Sequence, residues 1–132
     1  MGIHKTAIVD KAATLGDVEV GAYAIIGPNV TLEDGVVVDA HAVVYGPTTI
    51  GKGCRIHAFA CLGGDPQDRR YEGEATALEV GSHNVFREYV TVSRGTASGG
   101  GITRIGDHNL FMTHAHVGHD GVVGSHCVLA NS

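Results

Sequence analysis

An aliphatic residue recurs every six positions from Val20 to Leu62 without a miss: Val20, Ile26, Leu32, Val38, Val44, Ile50, Ile56 and Leu62. Four residues after each of the first seven stands a small or β-branched residue, namely Ala24, Val30, Val36, Ala42, Thr48, Cys54 and Ala60. The pattern extends to either side. Ile3, Val9 and Leu15 precede it, one residue short before Val20; Val80, Phe86 and Val92, then Ile105, Phe111, Val117, Val123 and Leu129 follow. Their small companions are Asn84, Val90, Thr96, Asn109, Ala115, Gly121 and Cys127. A period of six is not the helical 3.6, and the i, i+3, i+4, i+7 spacing of an amphipathic helix is missing. Six is a multiple of two, so it suits short flat strands joined by tight turns, with one large side chain inside and a small one where the corner narrows. Three such sides close a coil of about 18 residues, and coils stack at roughly the 4.8 Å inter-strand spacing. The expected fold is all-β, a parallel β-helix solenoid forming a single domain over 1–132. The period does not fix its hand, and general crossover statistics favour the right hand.

Composition narrows the function. With 43% hydrophobic and 17% charged residues the chain has enough apolar content to fold. A net charge of −5 with scattered Lys and Arg argues against a nucleic-acid coat or an anionic-membrane binder. No apolar run is long enough to span a bilayer, and residues 1–10 lack a signal-peptide layout, so no membrane insertion and a cytoplasmic location are expected. Three unpaired cysteines read as reduced residues, Cys54 and Cys127 at the small inward position and Cys61 closer to the surface.

Two interruptions stand out. Register is lost from Gly63 to Glu79, where Asp68 and Glu74 fall at aliphatic positions, so an external loop is expected over about 63–79. After Val92 the next anchor, Ile105, is seven residues late, and Gly99-Gly100-Gly101 marks a bulge over about 97–104. Loops extruded from one face of a solenoid are where function concentrates.

The nine histidines are sorted by their place in the hexad. His41, His83, His108, His114 and His126 all fall three residues after an aliphatic, and read as solvated turn residues. His116 and His119 break that habit within His114-Ala-His116-Val-Gly-His119-Asp120. Stacking Val117 over Val92 puts His119 above Arg94 and near Ser93, so His116, His119, Ser93 and Arg94 are expected on one outer edge. A neutral imidazole held in one tautomer by a carboxylate serves as a general base. Asp120 adjoins His119, but strand neighbours face opposite ways, so their contact requires the bend of a corner.

The run Gly63-Gly64-Asp65-Pro66-Gln67-Asp68, with Tyr71-Glu72-Gly73-Glu74, resembles the loop of the bacterial UDP-N-acetylglucosamine O-acyltransferases that begin lipid A synthesis. The resemblance continues through Arg87 to Thr96, the Gly99–Gly101 bulge, Ala115-His116-Val117-Gly118-His119-Asp120 and Val128-Leu129-Ala130-Asn131. It implies the left-handed form of the β-helix. It also implies transfer of a 3-hydroxyacyl group from acyl carrier protein to the 3-position of UDP-N-acetylglucosamine, without a metal or other cofactor, by a homotrimer in a Gram-negative cytoplasm. By the same resemblance His119 is the catalytic base and Asp120 orients it. His116, Gln67 and Asp68 match substrate contacts, and Ser93 and Arg94 are expected to bind substrate beside them. Ser93 stands where members commonly carry histidine. Members continue for several more coils and a helical C-terminal region, carrying the oxyanion-hole amide, the residues that measure acyl length and a basic carrier-protein surface. The chain stops at Ser132, three residues into a hexad, and is expected to be a truncated form.

Two alternatives stay open at this level. The H-x-H-x-x-H spacing of His114, His116 and His119 also suits zinc, as in trimeric β-helix carbonic anhydrases. A folded but catalytically incomplete fragment is the other. Arg69 and Arg70 read either as phosphate contacts or as solvated charges.

Overall fold

The computed structural model describes residues 2–132. The strands lie in three six-stranded sheets, one along each face of the coil, and every pairing is parallel. The aliphatic hexad is what lines these sheets up. On the first face Val9, Ile26, Val44, Leu62, Val92 and Val117 sit one above another. The second face stacks Leu15, Leu32, Ile50, Val80, Ile105 and Val123. The third stacks Val20, Val38, Ile56, Phe86, Phe111 and Leu129. These spines fill the interior, with the small companions Ala24, Val36, Ala42, Cys54 and Ala60 buried at the corners. Because a strand alternates, the neighbours of each spine residue face out, as at Glu19, Thr49 and Arg55.

Corners explain the remaining positions of the hexad. At most corners the residue three after the aliphatic adopts a left-handed conformation, with φ of 64° at His41, 57° at His83 and 67° at His114; Pro47, Asp65 and Gly95 are among the exceptions. That region is uncommon for side-chain-bearing residues, and histidine is among those enriched in it. The exposed rings there also stack: Tyr23, His41, Phe59, Tyr89 and His114 form one column with centroids 5.1–5.4 Å apart. His83, His108 and His126 form a second column at 5.0 and 5.2 Å. The corner histidines are thus solvent-exposed, as expected, but they are also stacked on their neighbours in adjacent coils. Glycine one residue after the aliphatic answers to close approach: a Cβ at Gly51 would lie 2.5 Å from the carbonyl oxygen of Gly81 in the next coil.

Both interruptions occur at the corner between the first and second faces; the loop is shorter than the sequence suggests, and the bulge has the expected length but starts three residues earlier. Gly63 and Gly64 belong to the first-face strand Cys61–Gly64, and Ala77 to Glu79 belong to the second-face strand Ala77–Val80. The loop is therefore confined to 65–76. The bulge occupies 94–101, because Ile102, Thr103 and Arg104 pair with Ala77, Leu78 and Glu79. Backbone pairing outlasts hexad register in both places, since a parallel ladder needs only extended backbone and not an aliphatic at every sixth position.

Candidate active site

The corner that carries the loop and the bulge also carries, one coil higher, the turn from the first-face strand His116–Val117 to the second-face strand Val122–Val123. His119 and Asp120 lie in that turn. Three successive coils thus contribute the loop, the bulge and the His-Asp pair to a single edge.

The bend required for His119 to meet Asp120 is present. Asp120 has φ of 62°, and its Oδ2 lies 2.9 Å from His119 Nδ1. A carboxylate only accepts, so Nδ1 carries the proton and Nε2 holds the free lone pair. Asp120 is fixed from below on three sides. Thr96 donates its N–H to Oδ1 at 2.7 Å and its hydroxyl to Oδ2 at 2.5 Å. Asp120 N–H donates to Thr103 Oγ1 at 2.9 Å, and Thr103 is fully buried. Burial opposes the charge on Asp120, but the hydrogen bonds from Thr96 and His119 outweigh it and hold the carboxyl below its ordinary pKa. The bulge glycines make room for this arrangement. A Cβ at Gly99 would fall 2.0 Å from Asp120 Oδ2, and one at Gly95 would fall 2.8 Å from Oδ1.

His116 faces out from the first face and shares a hydrogen bond of 2.7 Å with Thr91 Oγ1, its register partner below. Gln67 is exposed on the loop. Asp68 accepts the N–H of Arg70 at 2.9 Å and its guanidinium at 2.8 Å. Those Arg70 contacts, with a further contribution from the charge of His119, bring the Asp68 carboxyl to about 2. The loop residues Asp68, Arg70, Tyr71 and Glu74 face Thr96, Ala97 and Ser98 of the bulge across a cleft of about 120 Å³. Arg70 is paired with Asp68, and both Arg69 and Arg70 are exposed.

Ser93 and Arg94 depart from the expected outer edge, since both are buried, at 5% and 7% exposure. Arg94 runs beneath the loop. It donates to the Gly63 carbonyl at 2.6 Å, to Asp65 Oδ1 at 2.7 Å and to Tyr71 Oη at 2.9 Å, with the Tyr71 ring 5.9 Å from its guanidinium carbon. The residues that sequence reasoning missed as parts of the site are Thr96 and Thr103. Thr96 was legible only as a small corner residue, and its place in Arg94-Gly95-Thr96, just before the glycine run, was the available signal. The three imidazoles of the H-x-H-x-x-H segment do not converge: His114 stacks on Tyr89, His116 bonds Thr91 and His119 bonds Asp120. Among the described residues no group of three His, Cys, Asp or Glu is arranged to hold a metal ion.

A coil with three parallel faces, a six-residue period and its insertions on one corner defines a hexapeptide-repeat β-helix, and the six-repeat bacterial transferase hexapeptide family matches residues 29–64. Within that class the chain is similar over nearly its whole length to the UDP-N-acetylglucosamine O-acyltransferases. It is 49% identical over 131 residues to the acyl-[acyl-carrier-protein]–UDP-N-acetylglucosamine O-acyltransferase of Saccharophagus degradans, covering 98% of this chain and 51% of that protein. The enzyme of the same name from Syntrophobacter fumaroxidans is 48% identical over 132 residues, with 99% and 51% covered. A crystal structure of UDP-N-acetylglucosamine acyltransferase superposes with a TM-score of 0.98 at 43% identity, covering 99% of this chain and 51% of that one. The Moraxella catarrhalis enzyme superposes at 0.92 with 46% identity, covering 94% and 49%. The fold is accordingly the left-handed parallel β-helix. The chain spans about half the length of the relatives it matches.

Proposed function

We propose that this chain carries the base-bearing half of an acyltransferase site that moves a 3-hydroxyacyl group from acyl carrier protein to the 3-hydroxyl of UDP-N-acetylglucosamine, as in lipid A biosynthesis. The His119–Asp120 contact at 2.9 Å is the observation that carries this reading. His119 Nε2 takes the proton of the sugar hydroxyl as the oxygen attacks the thioester carbonyl. The resulting imidazolium is stabilised by Asp120 and returns the proton to the departing thiolate. Gln67 and Asp68 reach the sugar nucleotide from the loop, and His116 contacts it from the first face. Ser93 is buried beside Arg94, and Arg94 acts through the loop that it holds. The thioester is already activated, so positioning and one base suffice, and no cofactor enters the reading.

The relatives' names supply the acyl-carrier donor and the nucleotide acceptor. A homotrimer with the site between neighbours, and a cytoplasmic location, complete the proposal. Among the described residues no helix is long and apolar enough to cross a membrane.

The test is acyl transfer by the 132-residue chain and by a form extended through the rest of the relatives' length, each with and without His119→Ala. The extended form should be active and lose activity with His119→Ala. The short form should be slower by at least roughly 10²-fold, the lower bound set by one oxyanion donor. An extended form that is inactive, or one indifferent to His119→Ala, overturns the reading.

A further inference from the structure

We infer that Thr96 is a positioning residue for the base: through Asp120 it fixes His119 in the tautomer that leaves Nε2 free. This rests on the reading of His119 as the base. Asp120 Oδ2 receives two donors, His119 Nδ1–H at 2.9 Å and the Thr96 hydroxyl at 2.5 Å. The direction of the hydroxyl bond is set by its partner, because an ionised carboxylate only accepts, while the hydroxyl oxygen in turn accepts the N–H of Gly99 at 3.1 Å. Its proton therefore points at Oδ2, and the Thr96 N–H fixes Oδ1 at 2.7 Å. Both carboxylate oxygens are pinned, so the group cannot rotate to offer His119 a different edge. An isolated neutral imidazole can protonate either nitrogen, and the hydrogen bond made by one nitrogen decides which state the ring occupies. Here that bond is dictated by a residue 24 positions away on the coil below. The bulge has a matching function. It brings an amide and a hydroxyl up to Asp120, and glycine at 99 leaves the carboxylate undisturbed, since a Cβ would meet Oδ2 at 2.0 Å.

The experiment is nitrogen NMR of ring-labelled histidine in the 132-residue chain, with His119 assigned by its loss in His119→Gln. In the parent, neutral His119 should be in the Nδ1–H form. Thr96→Val should move its ring shifts toward the Nε2–H form or an average of the two, and Thr96→Ser should restore the parent shifts. Gly99→Ala should give the same displacement by pushing on Oδ2 while leaving Thr96 in place. It supplies the test if Thr96→Val does not fold. Amide shifts at Phe86 and Phe111, in the core, monitor folding in each variant. Parent-like His119 shifts in a folded Thr96→Val or Gly99→Ala protein overturn the inference. An Nδ1–H His119 in an extended form that transfers no acyl group overturns the proposed function, while the hold of Thr96 on the His119 tautomer is still decided by the variants above.

Discussion

Arg94 and Asp65 meet at 2.7 Å across 29 residues of sequence, one at the root of the bulge and the other at the first step of the loop below it. Arg94 also binds the Gly63 carbonyl and the Tyr71 hydroxyl, so one buried guanidinium closes the loop onto the coil at its start and its middle. Lysine keeps the charge but not the planar fork. Arg94→Lys should cost about 1–2 kcal/mol of local loop stability through lost hydrogen bonds. Tryptic cleavage at Arg69 or Arg70 should then accelerate by roughly tenfold, since cleavage of a transiently opened segment follows its open population. Parent-like cleavage would show that the loop is held by something else.

Asn84 and Asn109 occupy the small inward position on successive coils and form a buried amide ladder. Asn84 donates to the Gly106 carbonyl at 2.7 Å and accepts the Asn109 N–H at 2.9 Å; Asn109 repeats the pattern with the Gly124 carbonyl and the Cys127 N–H. Asn84→Ala fits the space but orphans one buried donor and one carbonyl, at about 1–3 kcal/mol each before relaxation. Thermal unfolding should fall by on the order of 10 °C. Asn109→Ala should cost less, because its partners Gly124 and Cys127 are more exposed. Equal midpoints for both variants would contradict this account.

Phe86 and Phe111 are the largest fully buried side chains, stacked at 4.7 Å with planes 6° apart. They fill the third-face spine where Ile56 and Val38 serve lower coils. Phe86→Ala should lose about 3–5 kcal/mol and leave a cavity. Chemical denaturation would measure it, and a loss below about 1 kcal/mol would mean that the coil collapses around the gap.

Acid should loosen the site before it unfolds the solenoid. The Asp120 carboxyl titrates below its ordinary value because the hydrogen bonds from Thr96 and His119 outweigh the effect of burial. The folded state therefore binds this proton less readily than the unfolded one. The contribution is complete above the ordinary aspartate pKa of about 4 and is lost as pH falls through the lower folded value. The Thr96 amide proton, bonded to Oδ1, reports the event. Its shift should stay constant down to about pH 4 and move below it; a transition centred above about pH 4 would reverse the sign.

A substantial part of this protein is legible in the order of its residues. The aliphatic at every sixth place determines which side chain lies over which, because stacked coils of constant length bring equal hexad positions together. That is why Val117 could be set over Val92, and His119 and Asp120 placed beside the insertions, from spacing alone. Only the tertiary structure decides where a side chain points at the corner where regular pairing ends. There the backbone turns through left-handed φ, as at Asp120, and partners come from coils 24 to 31 residues away. Arg94 turns inward because the strand carbonyl of Gly63 and the loop residues Asp65 and Tyr71 offer three acceptors, and Thr96 turns up because Asp120 offers two. The exposed histidines of the other corners stack for the same reason: a ring fixed at left-handed φ finds the ring one coil below. Hexad register is local and repeats along the chain, whereas these directions depend on neighbours that only the closed coil brings within reach.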